Sequence, residues 1–92
     1  MGMQVTKEAV PSYEIVEEKI KDMDGAVIIF RIFYIPEKLT YSFQLLRNNR
    51  ICMVEITSQL LDDLKNRRPS SDDELKSLLK TLLKDSGCWT KT

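Results

Sequence analysis

Ninety-two residues suffice for one domain, and at this size folding hides only ~60 to 65 % of the surface that the open chain exposes. Hydrophobic residues make up 42 % and charged residues 30 %, the range of globular chains rather than disordered ones. Lysine plus arginine and aspartate plus glutamate balance at 14 each, so no net field draws the chain towards phosphate backbones or anionic membrane.

There is no histidine, which removes the commonest general base and the usual partner of a nucleophilic serine or cysteine. Cys52 and Cys88 form no CxxC pair and have no histidine to complete a zinc set. Neither an enzyme nor a bound cofactor or metal is expected. No apolar run approaches the ~18 residues of a membrane-crossing helix, and residues 1–10 lack the basic-then-apolar order of a secretory signal. The expectation is a cytoplasmic protein with no membrane role.

In chain order, residues 1–12 show no period and read as a flexible N-terminal arm, leaving 13–92 as a single α+β domain. Residues 13–21 mix helix-favouring Glu-Glu-Lys with strand-favouring Tyr-Glu-Ile-Val. Asp24-Gly25 is a strong hairpin signal, and a two-residue loop there would set Ile20 opposite Ile29, Glu18 opposite Arg31 and Val16 opposite Phe33. That favours a strand over a helix. Residues 26–35 form an apolar, β-branched run that Pro36 ends, a strand with apolar neighbours on both faces.

Residues 40–46 alternate, with Tyr41, Phe43 and Leu45 on one side. Asn48-Asn49 tolerates the positive φ of a tight turn, and 50–56 resumes the extended pattern. The register sets Phe43 opposite Val54, Leu45 opposite Cys52 and Tyr41 opposite Ile56. Parity across a two- or four-residue loop at Pro36-Glu37 then places Ile28, Phe30 and Ile32 on the same face. Thr57 is the N-cap of a helix that carries Leu60, Leu61 and Leu64 and fades near Asn66. Ser71 and Glu74 have capping-box spacing for a second helix, whose Leu75, Leu78, Leu79, Leu82 and Leu83 make one apolar stripe and which Gly87 would stop.

The expected fold is α+β, an antiparallel β-meander of three or four strands followed by two C-terminal α-helices packed on one face. The helices cover the face bearing Phe43, which leaves Val27, Ile29, Phe33, Ile35, Leu46, Ile51 and Met53 on the other. A patch of that size points to a protein interface, with Ile29, Phe33, Ile51 and Met53 at its centre and a homodimer or another protein as partner. The function expected is a non-enzymatic interaction or regulatory module. The alternative is a nucleic-acid-binding accessory protein using Arg47 and Arg50 at the turn with Lys65, Arg67 and Arg68 at the helix connection. Cys52 is expected as an inert core thiol and Cys88, beside Trp89, as an accessible one.

Overall fold

Alternation decides the centre of the molecule. In the computed structural model, which describes residues 2–84 and 88–91, strands β3 (Thr40–Arg47) and β4 (Arg50–Thr57) pair antiparallel. Tyr41 lies opposite Ile56, Phe43 opposite Val54 and Leu45 opposite Cys52, the register that the sequence pattern requires. Asn48 and Asn49 take φ of 50° and 64°, the left-handed pair whose turn follows the twist of the strands it joins. Strand β2 (Ile28–Ile35) pairs with β3 across the connection 36–39, where a short 3-10 turn begins at Pro36 and Leu39 takes φ 49°.

Strand β2 departs from the expected parity in its first half. Ile28 and Ile29 oppose Leu46 and Leu45, but the next pair is Arg31 with Gln44, so Phe30 is an extra residue in a β-bulge. Val27 enters the strand fully buried, with its N–H donating to the Asp24 carbonyl. Odd-numbered residues therefore point inward at the start of β2, and the extra residue at Phe30 restores the even-inward order that β3 demands. Four assignments change as a result, beginning with Val27, expected on the open face and buried in the core. Ile29, expected on the open face, packs against the core, while Ile28 and Phe30, expected inside, stand on the open face.

The segment read as a fourth strand is a helix, α1 (Tyr13–Met23). Tyr13, Val16, Ile20 and Met23 recur at helical spacing, Val16 and Ile20 are fully buried, and that burial outweighs the strand propensity of Ile15 and Val16. Asp24-Gly25 accordingly serves the turn from α1 into β2, with Asp24 Oδ1 accepting from the Ala26 N–H, and the hairpin pairs with β2 do not form. The sheet's added strand comes instead from the segment expected as a loose arm. Strand β1 (Met3–Val5) pairs Met3 with Tyr34, Gln4 with Phe33 and Val5 with Ile32, and Val10 is buried in the core.

Helix α2 (Ser58–Lys65) starts as expected, the Thr57 hydroxyl accepting from the Leu60 N–H at 3.2 Å, and buries Leu60, Leu61 and Leu64. Helix α3 (Ser71–Lys84) buries Leu75, Leu79 and Leu83. Its start is not the expected capping box: Ser71 Oγ donates to the Arg68 carbonyl at 2.7 Å, and the Glu74 N–H donates to the Ser70 carbonyl. The expected stop at Gly87 lies outside the described residues. A two-residue strand, β5 (Thr90–Lys91), pairs with the first residues of β4.

The described sheet runs in the order β1-β2-β3-β4-β5, every pair antiparallel. This is an α+β fold: an antiparallel meander followed by two helices on one face, joined there by α1. Buried residues of all three helices form one cluster with Ile32, Phe43, Leu45, Cys52, Val54 and Ile56. Two layers result, with the sheet's other face turned away from every helix.

Candidate interaction face and cysteine pair

Residues that alternate away from the core make up the outer face. Strand β2 supplies Ile28, Phe30, Arg31, Phe33 and Ile35, strand β3 supplies Thr40, Ser42, Gln44 and Leu46, and strand β4 supplies Ile51, Met53 and Glu55. Ile28 is 50 %, Phe30 46 % and Met53 48 % exposed, while Phe33, Ile35, Leu46 and Ile51 are half-buried. Of the four interface residues read from the sequence, Phe33, Ile51 and Met53 lie on this face and Ile29 does not. Ile28 and Phe30 take its place. The only signal that could have found them is the depth of Val27, which the sequence does not display.

The face is not uniformly apolar. Arg31 stands on β2, its guanidinium carbon 4.7 Å from the centre of the Phe30 ring, and Glu55 stands on β4, 3.9 Å from Lys38 Nζ. Ser42, between Phe33 and Glu55 in register, is shut off from solvent, and its Oγ has no hydrogen-bond partner among the described residues. Such a group costs ~1 to 3 kcal/mol where it stays unsatisfied. Thr40, next along the same side, donates to the Lys38 carbonyl at 2.9 Å.

The structure disperses the basic residues. Arg47 is drawn into a cluster: its Nη1 donates to Asp24 Oδ2 at 2.6 Å, and its guanidinium carbon lies 4.3 Å from the centre of the Trp89 ring. The Arg47 guanidinium, with help from the Ala26 N–H, holds the Asp24 carboxyl below the ordinary aspartate range. Arg50 opposes Arg47 across the hairpin end and is exposed. Arg68 lies 3.4 Å from Asp63 Oδ1, and Arg67 takes φ 54° in the connection between α2 and α3.

Lys65 and Arg67 also line a groove of about 770 Å³ between the N-terminal segment, α1 and the end of α2, but Glu8, Glu14 and Glu17 share its walls. Beside it Lys19 donates to Asp72 at 2.9 Å, a bond that raises the lysine's pKa. A surface of alternating sign offers phosphate no continuous positive track.

The cysteines are joined. Cys52, fully buried on β4, is disulfide-bonded to Cys88, 36 residues later, with their Cα atoms 5.1 Å apart. The expectation of two free thiols, one inert and one accessible, is thereby corrected: the pairing of β5 with β4 carries Cys88 alongside Cys52. Next to it Trp89 is buried, and its Nε1 donates to the Leu83 carbonyl at 3.2 Å. Among the described residues, no three His, Cys, Asp or Glu side chains gather as metal ligands would, and no helix is long and apolar enough to cross a membrane. Compared with known protein families, with characterised proteins and with solved structures, the chain matches none of them.

Proposed function

We propose that this chain is a cytoplasmic, non-enzymatic interaction module that pairs with a second copy of itself through the outer sheet face. The observation that carries this reading is the set of large apolar side chains, Ile28, Phe30 and Met53, left half exposed on a face that all three helices avoid. Charge placement supports a second copy as the occupant. Arg31 and Glu55 lie on the flanking strands either side of β3. A two-fold axis along β3 lays β2 of one copy over β4 of the other, so that each Arg31 approaches the partner's Glu55 side and both charges are matched twice.

Size sets the strength. Three eight-residue strands, ~4.8 Å apart and about 26 Å long, give a face of about 370 Å² in plan. That is below the ~800 Å² per partner of a standard stable interface, the size of weak or transient contacts. The nucleic-acid alternative has less behind it, since Arg47 and Arg68 already face carboxylates and the groove near Lys65 carries both signs.

Sedimentation of the wild type and of Phe33→Glu at matched concentrations tests the proposal. Phe33 sits centrally on the outer face between Gln4 and Ser42, so a carboxylate there faces the partner rather than the core. The wild type should associate at high micromolar concentration, and the folded variant should remain monomeric because a desolvated charge costs several kcal/mol. A wild type that stays monomeric at high micromolar concentration ends the proposal.

A further inference from the structure

We infer that the Cys52–Cys88 bond is a redox-operated latch that holds the segment Cys88–Lys91 against the edge of β4, and that its reduction releases Trp89 and opens that edge. The inference stands apart from the outer face and would survive the loss of the proposed dimer.

Three observations point to a latch rather than a staple through the core. The bond ties β4, which is already fixed by its eight-residue ladder with β3, to a strand of only two residues, Thr90 and Lys91. A two-residue ladder is marginal by itself, whereas the ladders of β2, β3 and β4 run eight residues each. The two sulfurs also differ in access: Cys52 is fully buried and Cys88 is half-buried, with its Sγ 3.9 Å from the Met53 carbonyl oxygen. Finally, Trp89 packs at the margin of the core, its polar contacts among the described residues are one hydrogen bond to the Leu83 carbonyl and the stacked Arg47, and Arg47 keeps its Asp24 partner when the ring departs. Under the cytoplasmic setting proposed above, on which this one support rests, disulfides are uncommon and those present are usually transient or sensing.

The chemistry requires a dithiol. One thiolate of the dithiol attacks Cys88 Sγ, the accessible sulfur, and Cys52 Sγ leaves with the bonding electrons and takes a proton. The reagent's second thiolate then closes on the mixed disulfide and expels Cys88 as a thiolate, which is protonated in turn. The protein gains two electrons and two protons, ending with two thiols, and the dithiol is oxidised to a cyclic disulfide. Residues Arg50 and Ile51 thereby lose their β5 partners while keeping those in β3, and the edge at the start of β4 is opened.

Trp89 is the single tryptophan, so its fluorescence reports the latch directly. The full chain should show no free thiol after air oxidation and two after dithiothreitol. On reduction its emission should shift to longer wavelength and its quenching by acrylamide should rise, while far-UV circular dichroism is kept and hydrogen exchange quickens at the start of β4. Cys88→Ser should show the open signature without reductant, and reoxidation should restore the closed one in the wild type alone. Two free thiols in the air-oxidised protein overturn the inference. So does an emission unmoved by full reduction, or a reduced chain that unfolds altogether, since the bond would then be a structural staple.

Discussion

The two sides of the sheet are built from similar residues and meet different fates. On the helix side Phe43, Leu45, Val54, Ile56 and the leucines Leu61, Leu75 and Leu79 of α2 and α3 lose nearly all contact with solvent, whereas on the other side Ile28, Phe30 and Met53 keep about half of theirs. Hydrophobicity alone did not sort them. Sorting came from which residues the turns and the bulge at Phe30 point towards the helices, so the same side chain contributes to folding on one side and is available for association on the other.

The sharpest way to break that comparison is to shorten one apolar side chain on each side and measure unfolding by denaturant in the monomer. Leu79→Ala removes a fully buried side chain from α3 and should cost about 2 to 5 kcal/mol. Met53→Ala, on the outer face, should stay within about 0.5 kcal/mol of wild type. Equal losses would mean that the outer face is covered within one chain.

A smaller effect is expected where the two sides join. Thr57 ends β4 and caps α2, its hydroxyl accepting the Leu60 N–H, so it fixes the angle at which the chain leaves the sheet for the covered side. Thr57→Ala should destabilise by about 1 kcal/mol, and Thr57→Ser should recover most of it. Loss of the same amount in both variants would assign the effect to the threonine methyl group rather than the cap.

What the sequence made legible follows the same division. The β3–β4 register could be read because Thr40, Ser42 and Gln44 alternate with Tyr41, Phe43 and Leu45 and because Asn48-Asn49 suits a positive-φ turn. The first half of β2 could not, since an unbroken apolar run from Val27 to Phe30 carries no parity and conceals an extra residue. Helix α1 was hidden for a different reason. Its start lacks a side-chain cap, because Ser12, at φ 58°, turns its hydroxyl to the Leu61 carbonyl 2.8 Å away, a contact 49 residues distant that no local pattern announces. The cysteine pair was equally out of reach, because β5 has two residues and hence no period, and only its pairing with β4 brings Cys88 beside Cys52. Three of the four residues read for the open face do stand on it: Phe33 lies past the bulge, and Ile51 and Met53 take their side from the hairpin register at Asn48-Asn49.

The smallest expected effect lies at the rim of the covered side, where Asp24 at the end of α1 bonds Arg47 of β3 beneath Trp89. Both side chains are partly exposed, so the pair should contribute only about 0.2 to 1 kcal/mol, and its signature is pH dependence rather than size. Arg47, chiefly, and the Ala26 N–H lower the Asp24 pKa in the folded chain beneath the ordinary 3.8. Between those two values the unfolded chain binds the proton and the folded chain does not, so stability rises with pH across that window. The contribution is therefore fully present above pH 3.8 and is lost as pH falls through the lowered value. Asp24→Asn removes the titration and keeps one acceptor oxygen, which can serve the Arg47 donor or the Ala26 N–H but not both as the two carboxylate oxygens do. The stability difference between wild type and Asp24→Asn should be constant from neutral pH down to about 5 and should narrow steadily below about 4. A difference that does not change with pH would show that the Arg47 bond owes nothing to the carboxylate's charge, and that Arg47 is held at the rim by the tryptophan ring instead.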